Sequence, residues 1–225
     1  MRKILFTKKN LDNKLISKEL GGKLMVDLVE VLSIENLKIP PFDLKNRSLI
    51  FTSVKAVDAF FENQFLANEN FADKNFNKIY AVGKKSKKAL QKKGFGTFKV
   101  KKNAEELAEF IIKNCADETF LHFCGNLSLE TLENKLNKEN IGYKKVIVYK
   151  TKLKYPIVKN PFDEIVFFSP SGVRSFLRYN SIKEKKIFSI GNTTSQEIEK
   201  YTEEKIYTST ESNLEDILQM ILQKL

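Results

Sequence analysis

Short apolar strands alternate with amphipathic helical stretches along the whole chain, and this pattern most constrains the fold. Runs such as KILFT (3–7) and LIFTS (49–53) are rich in β-branched and aromatic residues, whereas AVDAFFENQF (56–65) and KSKKALQKK (85–93) have helical spacing. Because parallel strands need a crossover connection, which is usually a helix, the alternation predicts parallel α/β sheets. The stretch LMVDLVEVLSI (24–34) is interpreted as one strand.

Three blocks of this pattern recur in the same order in the second half of the chain. The aligned pairs are 49–60 with 165–176, 78–90 with 186–198, and 104–111 with 214–221, at offsets of 116, 108 and 110 residues. The repeat predicts two similar α/β domains.

Two stretches could separate these domains. One is the Pro40-Pro41 pair and the other is the polar segment KTKLKYP (150–156). If residues 42–149 form one domain, residues 1–37 must join 157–225 in the other, with connectors at 38–41 and 150–156. The chain would then pass twice between the domains.

A glycine followed three residues later by a hydroxyl follows a strand in both halves, at Gly83–Ser86 and Gly191–Thr194. Ligands of open parallel sheets bind beyond the carboxyl ends of the strands, where helices begin with unpaired N–H groups and a partial positive charge. Ser86 and either Thr193 or Thr194 are therefore candidates for binding an anion. The alternative role of these hydroxyls is helix N-capping. The repetition favours an anion site in a cleft between the domains.

The charge of the chain allows several kinds of partner. With 225 residues and a formal net charge of +11, the protein could attract nucleic acid, a membrane surface or a polyanionic small molecule, although the lysines could also merely solvate the surface. The phenylalanines fall mostly at core-periodic positions, which disfavours nucleic-acid stacking. No apolar run approaches the roughly 18 residues of a membrane span, and the start of the chain lacks a signal-peptide core. We expect a cytoplasmic protein with neither nucleic acid nor membrane as partner.

Neither a metal nor another cofactor is predicted. Cys115, Cys124 and His122 each lie in an apolar context, which favours buried, reduced thiols and a core histidine. The stretch AVGKKS (81–86) lacks the first glycine of a phosphate-binding P-loop, and there is no G-x-G-x-x-G.

The chain resembles the uroporphyrinogen-III synthase family in four ordered stretches. They are FTSVKAVDAF (51–60), AVGKKSKKALQKKGF (81–95), FCGNLSLETLENKLNKENIGYKKVIVYKT (123–151), and FFSPSGVRSFL with SIGNTTSQEI (167–177 and 189–198). The resemblance implies two α/β domains that face a cleft and are joined by a two-stranded connector. It also implies a reaction: linear hydroxymethylbilane loses water and closes, with inversion of ring D through a spiro intermediate, to uroporphyrinogen III. The substrate carries carboxylates that a basic protein would attract.

The resemblance also implies residue roles. Tyr149 occupies the tyrosine position of the family's V-Y-x-T motif, and as a phenol that stays protonated at neutral pH it could donate a proton to the departing hydroxyl. Its alternative role is structural, as an aromatic that closes the end of a strand. The remaining matched positions would bind acetate and propionate groups: Lys8, Ser53, Lys55, Ser86, Asn126, Ser169, Ser171, Thr193 and Thr194.

The chain departs from the family pattern at three places, of which Ser86, in place of the usual threonine, keeps the hydroxyl. Ser128 stands where the family often has an arginine after Gly-Asn-Leu, and Lys8 replaces the arginine of an amino-terminal Thr-Arg-Pro. Lysine keeps the charge but loses the bidentate fork. An alternative function is a non-catalytic two-lobed binding protein for a small polyanion, which would not need Tyr149. No long exposed apolar stripe calls for a second subunit, so we expect a monomer.

Overall fold

The computed structural model describes residues 1–40, 42–63, 65 and 77–225. The chain divides into two compact units, the first formed by Met1–Ser33 with Lys152–Leu225 and the second by Ile34–Thr151. Parts of the predicted connector 38–41 and of the predicted helix 56–65 lie outside the described residues, at Pro41 and Gln64.

Strands and helices alternate as the sequence predicts. The strands are β1 (Lys3–Phe6), β2 (Met25–Leu28), β3 (Leu32–Asn36), β4 (Ser48–Phe51), β5 (Ile79–Val82), β6 (Lys99–Lys101), β7 (Phe120–Gly125), β8 (Tyr143–Leu153), β9 (Glu164–Phe167), β10 (Lys186–Ser189) and β11 (Ile206–Thr208). The helices are α1 (Asn13–Leu20), α2 (Val54–Glu62), α3 (Lys84–Lys92), α4 (Ala104–Asn114), α5 (Thr131–Lys138), α6 (Pro170–Leu177), α7 (Asn192–Ile198) and α8 (Leu214–Gln223).

The first unit is built on a parallel sheet of five strands in the order β11-β10-β9-β1-β2. Successive residues of β1 enter different cores: Ile4 and Phe6 pack with residues of α1 and α8, and Leu5 packs with residues of α6 and α7. Because helices cover both faces, the central strands read as continuous apolar runs.

The second unit has a sheet of six strands in the order β3-β8-β7-β4-β5-β6, and its β8-β7-β4-β5-β6 pairs are parallel. One face carries an aromatic core in which Phe123 lies 4.7 Å from Phe60 and 5.5 Å from Phe51 between ring centroids. The other face packs Tyr80 and Phe120 against α4 and α5. The prediction of mainly parallel α/β sheets is confirmed.

The sequence repeat corresponds to a repeat of helix caps. Ser53 and Ser169 begin α2 and α6 with side chains that accept from the N–H three residues on, and Asn103 and Asn213 do the same for α4 and α8. Gly83 and Gly191 begin α3 and α7 with no side-chain cap. The strand orders also correspond, since β8-β7-β4-β5-β6 of the second unit matches β2-β1-β9-β10-β11 of the first. The two halves therefore share topology and local chemistry.

One local prediction is wrong. Residues 24–34 form two strands, because β2 ends at Leu28 beside β1 and β3 begins at Leu32 beside β8 in the other sheet. Apolar character alone does not show where a chain leaves one sheet and enters another. The first part of the polar segment at 150–156 is a strand, since β8 continues to Leu153.

Candidate active site

The candidate residues of each unit lie at one edge of its sheet. In the second unit, Ser53, Ser86 and Asn126 follow the neighbouring strands β4, β5 and β7. In the first unit, Lys8, Ser169 with Ser171, and Thr193 with Thr194 follow the neighbouring strands β1, β9 and β10. Since the carboxyl ends of parallel strands meet at one edge, each unit brings its own candidates together.

The side chains of Tyr149 and Ser53 contact each other through their hydroxyls in the second unit. The phenolic oxygen of Tyr149 lies 3.2 Å from Ser53 Oγ, and either hydroxyl can be the donor. Ser53 Oγ also accepts the N–H of Ala56 at 3.1 Å, as the N-cap of α2. One serine oxygen therefore holds both the helix start and the phenol.

Gly125 and an irregularity in the sheet set the direction of Tyr149. The pairing of β7 with β8 runs from Cys124 opposite Ile147 to Gly125 opposite Tyr149, so that Val148 is an extra residue. A bulge of this kind redirects the side chains that follow it. A Cβ on Gly125 would lie 2.4 Å from two ring carbons of Tyr149. Sequence reasoning gave Gly125 no role, although a glycine that ends a fully buried strand is the signal of a close approach.

Asn126 is engaged with the strand that carries Tyr149. Its backbone N–H donates to Tyr149 O at 3.2 Å, and its side-chain Oδ1 accepts from Thr151 N at 2.7 Å. Its Nδ2 donates to Thr151 O at 3.4 Å. Asn126 is therefore hydrogen-bonded to β8 on both sides of Lys150, at Tyr149 and at Thr151.

The helices at this edge of the second unit begin with cations. Lys55 lies in the first turn of α2 and Lys84 in that of α3; both are exposed, and neither first turn contains an acidic residue. Helix N-termini carry partial positive charge, so lysine there costs helix stability and acidic residues are preferred. The excess of positive potential is suited to carboxylates.

Ser86 and Thr194 are not helix caps, which removes the alternative role considered for them. The N-caps of α3 and α7 are Gly83 and Gly191, and the two hydroxyl residues lie inside the first turns. Both are buried, with 3% and 1% of their surface exposed, whereas Thr193 is exposed. Gly83 has a φ of 80°, which is a left-handed backbone that favours glycine.

The first unit repeats the serine arrangement without a tyrosine. Ser169 Oγ accepts the N–H of Gly172 at 3.1 Å and lies 3.3 Å from Ser171 Oγ. Lys8 is exposed just beyond β1, with its Nζ 5.8 Å from the ring centroid of Phe168.

His122 is a core residue, as its sequence context predicts. Its Nε2 lies 3.0 Å from Thr52 Oγ1 and its Nδ1 lies 2.6 Å from Tyr143 OH. Burial, followed by the nearby charge of Lys145, lowers the pKa of His122 to about 3. The imidazole is therefore neutral at physiological pH and fixes Thr52, the residue before Ser53.

Other features bear on metals and membranes. Both cysteines are buried and free. Within the described ranges, no group of three or more His, Cys, Asp or Glu residues could hold a metal ion. No helix in that part of the chain is long and apolar enough to cross a membrane.

Comparisons with known proteins bear on the family and the fold of the chain. A family model described as uroporphyrinogen-III synthase HemD matches residues 29–219. A structure of uroporphyrinogen-III synthetase from Helicobacter pylori is similar at a TM-score of 0.74 and 20% identity, over 100% of both chains. A mutant uroporphyrinogen III synthase from Thermus thermophilus is similar at a TM-score of 0.71 and 15% identity, again over 100% of both chains. A sequence comparison with curated proteins finds no match.

The similar structures are under 25% identical and support the fold, whereas the family match covers most of the chain. The family match agrees with the family expected from the sequence, and the similar structures agree with the expected two-domain α/β fold. A binding protein without catalytic activity is not favoured, because the matched family is one of enzymes of tetrapyrrole synthesis. The chain belongs to the uroporphyrinogen-III synthase family and is an enzyme of that class.

Proposed function

We propose that the chain cyclises hydroxymethylbilane to uroporphyrinogen III with Tyr149 as the general acid. The observation that carries this role is the 3.2 Å contact between the Tyr149 hydroxyl and Ser53 Oγ at the carboxyl edge of the sheet. The carbon–oxygen bond of the terminal hydroxymethyl group breaks, the departing oxygen takes the phenolic proton, and water leaves. The proton lost when the macrocycle closes restores the phenol, so the step balances.

Ser53 assists in this proposal by orienting the phenol. Its oxygen already accepts the Ala56 N–H, and its own hydrogen can be donated to the Tyr149 oxygen. In that arrangement the phenolic hydrogen is free for the substrate, and the serine hydrogen bond stabilises the phenolate left after proton transfer. A charge-assisted hydrogen bond of this type is about twice as strong as a neutral one.

The substrate carboxylates are bound, in this proposal, by two kinds of group. Exposed cations attract the carboxylates to the protein. Hydroxyls, together with the free N–H groups in the first turns of helices that lack a side-chain cap, hold the carboxylates in position. The proposed binding residues are Lys8, Ser53, Lys55, Ser86, Ser169, Ser171, Thr193 and Thr194. Ser86 and Thr194 are buried, so in this proposal their hydroxyls act from beneath the first turns of α3 and α7, which have no side-chain cap. Asn126 contributes by holding β8 and Tyr149, since its side chain pairs with Thr151.

Orientation supplies most of the remaining catalysis in this proposal. Loss of water leaves a reactive azafulvene in its cationic, N-protonated form, so the enzyme mainly has to hold the chain where the inverted carbon of ring D reacts. Fixing reactants in this way is one of the largest contributions available to an enzyme. We further propose that the protein acts as a monomer in the cytoplasm, without nucleic acid or membrane as partner.

The replacement Tyr149→Phe tests the acid role. The variant keeps the ring on Gly125 and loses only the hydroxyl, so folding should be nearly normal while kcat falls by about 10²-fold, the usual contribution of a general acid. Tyr207→Phe, in β11 of the other unit, is the matched control and should leave kcat unchanged. A Tyr149→Phe enzyme with wild-type kcat would remove Tyr149 from the mechanism.

A further inference from the structure

The first unit carries a groove that contains none of the proposed substrate-binding residues. Its volume is about 550 Å³, and its lining includes three tyrosines and two arginines: Tyr155, Tyr179, Tyr201, Arg174 and Arg178. The three tyrosines are 41%, 59% and 50% exposed. Aromatic rings that are exposed to this degree in one groove offer a stacking surface for a planar ligand.

The position of Tyr155 is enforced by its backbone. It has a φ of 48°, a left-handed conformation that is an outlier for a bulky residue and is strained. Its N–H donates to Ser175 Oγ at 3.0 Å, and the buried Ser175 donates to Val31 O at 2.7 Å. These bonds hold the Tyr155 ring across that of Tyr179, with 6.4 Å between the centroids and 74° between the planes.

The residues after Tyr155 are fixed to the end of α6 as well. Asn180 Nδ2 donates to Pro156 O at 2.7 Å, and Asn180 Oδ1 accepts from Val158 N at 2.9 Å. Hydrogen bonds thus hold the strained Tyr155 and the residues that follow it, so this side of the groove is preorganised for a ligand.

The groove also has an excess of positive charge. Arg174 pairs at 3.1 Å with Glu197, a carboxylate that Lys200 also contacts at 2.9 Å. Arg178 has no ion pair within the described residues, and its guanidinium lies 5.8 Å from the ring centroid of Tyr179. A guanidinium is planar, stacks on rings and binds phosphate through two parallel hydrogen bonds.

We propose that this groove binds a nucleoside phosphate, with the base against Tyr155 and Tyr179 and the phosphate on Arg178. The combination of stacking rings with an available guanidinium requires a ligand that is both planar and anionic. The flexible polycarboxylate substrate of the reaction has charge but no large planar ring, so the groove is not a second copy of the active site.

Titration calorimetry of the full chain at low salt, with ATP as the probe, tests the proposal. Adenosine and inorganic pyrophosphate are the comparison ligands, because each carries only one half of the recognised chemistry. ATP should bind saturably at one site, and both comparison ligands should bind at least about tenfold more weakly, since each lacks either the stacking or the charge-assisted contacts. Pyrophosphate that binds as tightly as ATP would overturn the proposal, and so would the absence of saturable ATP binding.

Groove variants locate the binding. Arg178→Gln and Tyr179→Ala should each weaken ATP binding by about tenfold, whereas Tyr179→Phe should retain it because the ring is kept. Lys183→Gln, which removes an exposed cation elsewhere on the same unit, should have no effect. Equal ATP affinity in Arg178→Gln, Tyr179→Ala and the wild type would show general attraction to lysines and would refute the groove.

The same variants keep this inference separate from the proposed function. Since neither Arg178 nor Tyr179 belongs to the proposed active site, both variants should convert hydroxymethylbilane at the wild-type rate. Loss of ATP binding with retained cyclisation supports the groove. Loss of cyclisation in a folded Arg178→Gln variant would contradict its independence from the active site.

Discussion

The ring of Tyr149 lies against the backbone of Gly125, so closely that a Cβ on the glycine would be 2.4 Å from two ring carbons and 2.8 Å from the phenolic oxygen. Real Cβ atoms do not approach other heavy atoms at such distances. Together with the bulge at Val148 and the bond to Ser53, the glycine determines where the proposed acid presents its hydrogen.

Gly125→Ala should therefore displace the Tyr149 ring and lower kcat about as much as Tyr149→Phe does, by about 10²-fold. The double variant should be no slower than Tyr149→Phe alone, because both substitutions remove the same interaction, that of the Tyr149 hydroxyl with the substrate. Gly96→Ala is the matched control, since a Cβ there meets nothing within 4 Å. Additive losses in the double variant would show that Gly125 acts independently of Tyr149.

His122 should make stability depend on pH. Its pKa in the folded chain is lowered to about 3 by burial and then by Lys145, from an ordinary value of 6.5. Between these values the unfolded chain binds a proton that the folded chain does not, so the free energy of unfolding falls as pH falls, by up to about 1.4 kcal/mol per pH unit.

Urea unfolding at several pH values between 6.5 and 5 measures this slope, and His122→Gln should make it flatter. The comparison concerns slopes alone, because the substitution also disturbs the bonds to Thr52 and Tyr143. Equal slopes in the two proteins would mean that His122 does not remain neutral in the folded chain.

The repeated caps should have similar energies. Asn103→Ala and Asn213→Ala each remove a side chain that accepts an N–H at 2.8 Å, and each should lower the free energy of unfolding by about 1 kcal/mol. Asn137→Ala, at an exposed position inside α5, is the control and should be neutral or slightly stabilising. Denaturant unfolding measures these free energies, and equal free energies of unfolding in all three variants would contradict the prediction.

Lys8 should contribute to substrate attraction. Lys8→Ala should raise KM by about two- to fivefold with little change in kcat, because an exposed charge is worth at most about 1 kcal/mol. Added salt should shrink the difference by screening. Lys14→Ala, on the exposed side of α1, is the control. A KM that changes equally in both variants would assign the effect to net charge rather than to position.

The order of elements could be predicted from the sequence because strand and helix periods differ. The break between β2 and β3 at residues 29–31 could not be predicted in this way. Val29 and Val31 are as apolar as their neighbours, and only the pairing partners of β2 and β3 show that these are two strands. The continuation of β8 to Leu153 was likewise hidden by its polar composition.

The site was predictable in its residue types but less so in its contacts. The sequence placed hydroxyls at Ser53, Ser86 and Thr194 alike, whereas the structure gives the capping role to Ser53 and buries the other two inside their helices. The approach of Gly125 to Tyr149 depends on a bulge, and bulges leave no reliable trace in a period-two pattern. The pairing of Asn126 with Thr151 is a similar case.

Incubation of the purified protein with freshly generated hydroxymethylbilane, followed by separation of the product isomers, measures the central activity. Closure without the enzyme proceeds without inversion of ring D and gives the type I isomer. The predicted result is mainly uroporphyrinogen III, formed much more slowly by Tyr149→Phe. A product that is entirely type I in the presence of the folded wild-type protein would contradict the assignment of the activity.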